Sequence, residues 1–219
     1  MKKINPKLRD ALRKFSESYL LSRASAFAGM DFERLRAELA EVKDKALSKC
    51  AELEDQFEAQ AVARGARVYR AADSAQANRL VHSILKSRGA EFLVKGKSMV
   101  SEEVSLNDFL ARRGLRVRET DLGEWIIQLA GEPPTHMVMP AIHLARKDVA
   151  RIFSRHMGKA VPDDIPALIE VARAELRREI FQAGAGLTGA NALIAESGSV
   201  MLITNEGNGR MVSTVPPLQ

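Results

Sequence analysis

Cysteine is almost absent from this sequence. Of 219 residues only Cys50 is a cysteine, so an internal disulfide is excluded. One cysteine is typical of proteins from a reducing compartment. The opening charges of "MKKINPKLRD" precede no apolar core, so no secretory signal is predicted. No apolar run approaches the roughly 18 residues that cross a bilayer. The sequence therefore predicts a soluble, cytoplasmic protein without a membrane span.

Aromatic residues are also scarce, with one Trp and two Tyr. A surface that stacks nucleic-acid bases needs aromatic side chains, so none is expected. The net charge is +5 at pH 7, but basic and acidic residues are mixed along the chain. Such mixing argues against a nucleic-acid partner and leaves a mild preference for small anionic ligands.

A glycine is missing where a phosphate-binding loop would need it. In "EFLVKGKSMVSEE" the Gly-Lys-Ser triplet places the first P-loop glycine at position 91, which is Glu91. An ATP-type P-loop is therefore excluded. The stretch still follows a predicted strand, where ligands of open α/β sheets bind. We expect an anion or polar ligand site here, with a solvated connection of balanced charge as the alternative. The predicted binding residues are Lys95, Gly96, Lys97, Ser98 and Glu102.

The first third of the chain has helical periodicity. Asn5 followed by Pro6 is a strong helix start. Asp31 can cap a second, longer helix, whose apolar stripe continues to the low sixties, near Gly65. We therefore predict a helical N-terminal extension over residues 1–64 and an α/β domain over residues 65–219.

After Gly65, short apolar strands alternate with helices, which is typical of a doubly wound parallel sheet. Strands are predicted at residues 66–71, 91–94, 115–120 and 136–141. Helices are predicted from a Ser74 cap to Gly89, over Leu106–Arg113, around Arg146–Met157 and over Ile165–Gln182. At the end of the chain, "VMLIT" and "RMVSTV" flank "NEGNG", so a β-hairpin is predicted with its turn at Asn208-Gly209.

Further polar residues follow predicted strands. Asp121 comes directly after a predicted strand. The sequence contains no HEXXH motif, so no metal site is predicted. Glu196 and Glu206 are the predicted catalytic residues, since a positioned Glu can act as a base or as a nucleophile towards an activated acyl group. Ordinary turn chemistry is the alternative. The other predicted binding residues are Asp121, His143, Thr188, Gly189, Asn191 and Asn205.

Three long motifs carry a family resemblance. "KGKSMVSEE", "ETDLGEWIIQLAGEPPTHMVMPAIH" and "TGANALIAESGSVMLITNEGNGR" resemble the LUD domain, in the version found in bacterial lactate-utilisation protein B. The resemblance runs over nearly the whole chain. It implies a Rossmann-like, mostly parallel α/β fold related to ribose-5-phosphate isomerase, glucosamine-6-phosphate deaminase and CoA transferases. It also implies a cytoplasmic role in oxidising L-lactate to pyruvate, together with two sister subunits.

One departure from the resemblance concerns cofactors. Lactate-utilisation protein B is expected to continue into a region with iron–sulfur motifs, and each cluster needs about four cysteines. Cys50 cannot supply them, so no cofactor is expected in this chain, and clusters are expected only in a missing C-terminal region or a partner subunit.

Three functions stay open at this stage. The chain is predicted to be a ligand-binding or assembly module of a lactate-oxidising complex. The alternatives are a free-standing enzyme that acts on a sugar phosphate or an acyl-CoA, and a purely structural subunit. A homodimer is left open.

Overall fold

The computed structural model describes residues 6–219, and the chain divides into two compact units. One unit takes the chain up to Arg67 together with Ile194–Ser199. The other comprises Val68–Leu193 and Val200–Gln219. In the described residues, no helix is both long enough and apolar enough to cross a membrane.

The first unit is helical, as its periodicity predicts. It contains α1 (Pro6–Ala26), α2 (Phe32–Ser48) and α3 (Cys50–Ala63). The Asp31 carboxylate accepts a hydrogen bond from the Arg34 backbone N–H and so caps α2 as expected. The prediction of one long helix after Asp31 is wrong. The backbone at Lys49 is not helical, so α2 ends before this residue and α3 begins after it. The predicted Asn5 cap lies outside the described residues.

The second unit holds most of the remaining elements. Its helices are α4 (Ser74–Ser87), α5 (Met99–Glu103), α6 (Leu106–Ala111), α7 (Leu122–Ala130), α8 (Arg146–Met157), α9 (Ile165–Gln182) and α10 (Asn208–Val212). Its sheet strands are β1 (Phe92–Lys95), β2 (Arg116–Glu119) and β3 (Ala185–Leu187). A separate two-stranded sheet pairs β4 (Ala192–Ile194) with β5 (Ser199–Met201).

The main sheet is parallel, with strand order β2-β1-β3. Strand β1 is central, and its near-continuous apolar sequence fits a strand that is covered on both faces. Lys95, its last residue, pairs in register with Glu119 of β2 and with Leu187 of β3. Since all three strands run the same way, the loops that follow them meet at one edge of the sheet. The predicted α/β class with a mostly parallel sheet is confirmed.

Helices pack against the sheet, and the buried side chains form an apolar core. Trp125 is fully buried and lies against Phe153, with ring centroids 4.9 Å apart. Leu93 and Leu110 belong to a second buried cluster around the central strand. These clusters fix the sheet and helix α7, whose N-terminus faces the strand ends.

Two predicted strands are absent from the structure. Residues 66–71 and 136–141 are irregular or turn segments. Tyr69 is 50% exposed, and Met137 and Val138 are each 70% exposed, so their apolar side chains have no core to define a strand. Buried Pro140 also lacks the backbone N–H that a strand ladder would use.

The C-terminal hairpin prediction is also wrong. Asn208 and Gly209 begin helix α10, and positive φ is found one residue earlier, at Gly207, where φ is 77°. A type I′ hairpin would need positive φ at both Asn208 and Gly209.

The cap of α4 differs by one residue from the predicted Ser74. The Asp73 carboxylate accepts from the Gln76 N–H, and Ser74 is the first helical residue.

Candidate functional site

A cleft of about 390 Å³ lies at the carboxyl-terminal edge of the parallel sheet. Its walls come from the loops that follow β1, β2 and β3 and from the segment that leads into α10. The cleft residues that the sequence predicted are Gly96, Lys97, Ser98, Asp121, Thr188, Gly189, Asn191, Asn205 and Glu206. The structure therefore brings most of the predicted site residues together.

The loop after β1 is held by the neighbouring strand and by the next helix. The Gly96 backbone N–H donates to the Leu187 carbonyl oxygen over 2.8 Å, which continues the ladder between β1 and β3. The Ser98 hydroxyl caps α5 by accepting from the Ser101 N–H at 3.3 Å. The loop is thus fixed at both ends, and Lys97 stands between them.

Lys97 is a cation of the cleft, and it shares its charge with a carboxylate. Its Nζ atom lies 3.3 Å from Oε1 of Glu124 and donates to the Val138 carbonyl oxygen over 3.1 Å. Glu124 is 8% exposed, and its burial raises the pKa of its carboxyl group. The negative charges of Glu102 and Asp121 raise this pKa further, and the positive charge of Lys97 opposes the rise. An anion that enters the cleft would therefore compete with Glu124 for Lys97.

Lys95 has a different position from Lys97. Its side chain is fully buried, with Nζ 2.8 Å from Oε1 of Glu119, 2.5 Å from Oε1 of Glu102 and 2.8 Å from the Ser101 hydroxyl. Burial raises the pKa of Glu119, and the charge of Lys95 opposes that rise. Lys95 and Glu102 thus form an internal ion-pair network and do not line the cleft.

Two carboxylates line the cleft near the N-terminus of helix α7. Asp121 caps α7 by accepting from the Gly123 and Glu124 N–H groups. Glu206 accepts from the Leu122 N–H at 3.1 Å. Desolvation of its carboxyl group raises the pKa of Glu206, and the charge of Asp121 raises it further, while the Leu122 hydrogen bond and Lys97 lower it. A carboxyl group with a raised pKa in a cleft is a candidate acid or base.

Amides and hydroxyls complete the walls. The Asn208 amide donates to the Thr120 hydroxyl over 3.3 Å, and the Asn191 side-chain oxygen accepts from the Ile203 N–H at 2.8 Å. The sequence analysis assigned Asn208 to a turn and did not single out Glu124, so neither residue was predicted as part of the site. The signal for Glu124 was its place three residues after the capping Asp121, on the first turn of α7.

Two further predicted residues have other surroundings. His143 Nε2 lies 2.9 Å from Glu132 Oε2, and its Nδ1 lies 2.9 Å from the Thr135 hydroxyl. Glu196 is exposed in the turn between β4 and β5, a segment that belongs to the first compact unit. Neither residue is among those that line the cleft.

Comparison with known protein families identifies a match. The family model of the LUD domain matches residues 54–219, which is most of the chain. The chain belongs to the LUD domain family. No solved structure matches this LUD chain.

Curated relatives extend the family assignment. The LUD chain is 42% identical over 186 residues to lactate utilization protein B of Exiguobacterium sp., covering 85% of this chain and 40% of that protein. It is 41% identical over 157 residues to lactate utilization protein B of Bacillus subtilis, covering 71% and 33%. It is 38% identical over 185 residues to the uncharacterized electron transport protein YkgF of Escherichia coli, covering 84% and 39%. The LUD chain thus spans two fifths or less of these relatives.

An iron–sulfur cluster does not fit the cysteine content of the LUD chain. Cys50 is the one cysteine in the sequence, and it is exposed, with its thiol donating to Glu54 Oε1 over 3.2 Å. A cluster takes about four thiolates. Within residues 6–219, no three His, Cys, Asp or Glu side chains are grouped as a metal site would need.

Proposed function

We propose that this LUD domain is a ligand-binding module of a cytoplasmic system that oxidises L-lactate to pyruvate. The single observation that carries the proposal is the cleft at the strand ends, in which the Lys97 ammonium group stands beside carboxylates and amides. The ligand is a small carboxylate or phosphate. Lys97 holds its negative charge, and the neighbouring amide and hydroxyl groups take its remaining oxygens.

The choice of lactate chemistry rests on the relatives, which carry the name lactate utilization protein B. A hydroxy acid suits the cleft because it combines a carboxylate for Lys97 with a hydroxyl group that can donate to Asp121. Electron transfer through clusters would require cysteines from sister subunits or from other protein segments, since Cys50 is the one cysteine here.

A second candidate function is catalysis by Glu206. The observation in its favour is the raised pKa of a carboxyl group that lines the cleft. Such a group can remove a proton from a bound substrate near neutral pH. We propose a relation to the isomerase, deaminase and CoA-transferase folds, and a sugar phosphate or acyl-CoA is the substrate class that this relation favours. Fold analogy is the weaker of the two warrants.

Replacement of Lys97 by Ala tests the binding proposal. Thermal shift against lactate, pyruvate, sugar phosphates, nucleotides and CoA esters identifies the ligand, because a ligand that prefers the folded state raises the unfolding midpoint. Titration calorimetry then gives its Kd. Loss of a charge-assisted contact should weaken binding roughly ten- to a hundredfold in Lys97→Ala.

The matched control is Lys147→Ala, which removes an exposed lysine from helix α8 in the same unit. It lowers the net charge equally and should leave the Kd unchanged. Equal weakening in both variants would mean that the ligand senses only net charge. No midpoint shift with any compound would favour a structural subunit.

The pH dependence of binding should follow Glu206. Its pKa is raised, so an increasing fraction becomes ionised as pH climbs above the ordinary carboxyl range, and the new charge repels an anion in the cleft. Affinity for L-lactate should therefore fall as pH rises through this window. Glu206→Gln keeps an oxygen for the Leu122 N–H and removes the charge. We expect it to bind lactate several-fold more tightly at pH 7.5 and to flatten the pH profile.

Glu124 also has a raised pKa and faces Lys97, so the residual slope in Glu206→Gln is assigned to Glu124. Calorimetry between pH 5 and pH 8 measures both effects. Weaker binding in Glu206→Gln at every pH would instead mean that the carboxylate contacts the ligand directly, as the enzyme alternative requires.

A further inference from the structure

Helix α2 carries an apolar stripe on its surface. Leu35, Leu39 and Val42 are exposed by 45%, 56% and 61%, and α2 buries none of its described residues. Their spacing of four and three residues continues to Ala46, which gives the heptad repeat of a coiled coil. We call Leu35, Leu39, Val42 and Ala46 the α2 seam.

The seam begins after the first residue of the helix. Phe32 is in heptad register with the seam, but it already packs edge-on against Phe27, with ring centroids 4.6 Å apart. The Arg23 guanidinium also lies over the Phe32 ring, 4.3 Å from its centroid. Phe32 at the N-terminal end of α2 therefore has its contacts within its own unit, whereas none of residues 6–219 buries the seam.

Charges flank the seam in a directional pattern. Phe32, Leu39 and Ala46 take the a positions of the repeat, and Leu35 and Val42 take the d positions. The flank before the a positions carries Asp31, Glu38 and Lys45, and the flank after the d positions carries Arg36 and Lys43. In a parallel pair of helices, each residue of the first flank faces the residue five positions later on the second copy. Asp31 then meets Arg36, and Glu38 meets Lys43, so both contacts join opposite charges. Lys45 faces position 50, which is Cys50 at the start of α3.

An antiparallel pair would place like charges together. In that arrangement each flank faces its own copy. The flank with Arg36 and Lys43 brings cations against cations, and a register that joins Asp31 to Lys45 of the second copy also brings Glu38 against Glu38. Within the chain, Arg36 pairs with Glu33 and Arg34 pairs with Glu38, but these side chains are each more than half exposed. Such exposed pairs are weak and can be shared with a second helix.

We infer that α2 is a self-association surface and that its partner is α2 of a second copy of this chain, in a parallel coiled coil. The apolar seam supplies the contact, and the flanking charges set the direction. The seam spans about two heptads, so the association is modest and depends on protein concentration. This inference is independent of the ligand in the cleft.

Sedimentation equilibrium of the full chain over a wide concentration range tests the inference. The wild-type protein should show a monomer–dimer equilibrium, and Leu39→Asp should be monomeric. Because α2 buries none of its described residues, Leu39→Asp should keep its circular dichroism spectrum. The matched control is Leu47→Asp, on the outer face of α2 with 69% exposure, which should dimerise like wild type. A monomer at all concentrations, or a dimer that survives Leu39→Asp, would overturn the inference.

Charge reversal tests the parallel direction. Glu38→Lys and Lys43→Glu should each raise the dimer Kd by roughly tenfold, since the two-fold symmetry replaces two attractions with two repulsions. The double variant should restore the wild-type Kd. Asp44→Lys, on the face away from the seam, is the matched control. A tighter dimer in Lys43→Glu would indicate an antiparallel pair and would contradict the parallel arrangement.

Discussion

Lys95→Met should lower the free energy of unfolding by about 3–5 kcal/mol, the largest effect expected here. Lys95 is fully buried between Glu119 and Glu102. Methionine fills a similar volume, but it leaves the Glu119 carboxylate, which is 4% exposed, without its cation. Urea unfolding followed by the fluorescence of Trp125, the chain's one tryptophan, measures the loss in this unit.

The loss should grow with pH. Burial already raises the pKa of Glu119, and Lys95 opposes the rise, so removal of Lys95 raises that pKa further. A carboxyl group whose folded pKa exceeds its unfolded pKa favours the folded state only while it is protonated. The deficit of Lys95→Met should therefore be smallest in acid and increase as pH climbs above the ordinary carboxyl range.

Two variants sharpen this experiment. Lys95→Met with Glu119→Gln removes both charges and should recover part of the loss, because the buried carboxylate is gone. Lys86→Met, on the exposed surface of α4, should change stability by less than about 0.5 kcal/mol. An unfolding free energy for Lys95→Met within error of wild type would show that the buried ion pair is not required.

Glu179→Met should cost about 3 kcal/mol, the second-largest effect. Glu179, on α9, is 4% exposed and accepts from Arg118 Nε at 2.5 Å and from Arg116 Nη2 at 3.0 Å, so it ties a helix to strand β2. Without Glu179, the Arg118 guanidinium, whose side chain is 16% exposed, loses its carboxylate partner. It retains the hydrogen bond that it donates to the Gln128 side-chain oxygen over 3.0 Å. Urea unfolding again measures the change.

The controls for Glu179 separate charge from packing. Glu179→Gln retains one acceptor oxygen and should lose less than Glu179→Met. Glu170→Met replaces an exposed glutamate of the same helix and should be nearly neutral. If Glu170→Met and Glu179→Met cost the same, the arginine contacts contribute nothing specific.

The sequence predicted those elements whose local pattern agrees with their burial. "EFLV" and "LRVRET" became β1 and β2, and the predicted cap at Asp31 is a local hydrogen bond. The α/β class follows from the alternation of such strands with helices. The gathering of strand-end loops into one cleft also follows, because parallel strands end at one edge.

Other features depend on contacts between distant residues. Met137 and Val138 are apolar, but nothing buries them, so the pattern suggested a strand that the structure lacks. Asn208-Gly209 suggested a turn, although the positive φ lies at Gly207. The partnership of Lys95 with Glu119 follows from the register of two strands, which a single sequence does not specify.

Lys95 and Lys97 stand two residues apart, one in the interior of the protein and one in the cleft. A saturation library across this stretch should therefore divide into two phenotypes. Substitutions at Lys95 should strongly reduce the amount of folded protein in cells. Substitutions at Lys97, whose side chain is 25% exposed and pairs with Glu124, should reduce that amount less and act mainly on ligand response. Selection for protein abundance and selection for ligand response thus act mainly on different codons, two positions apart.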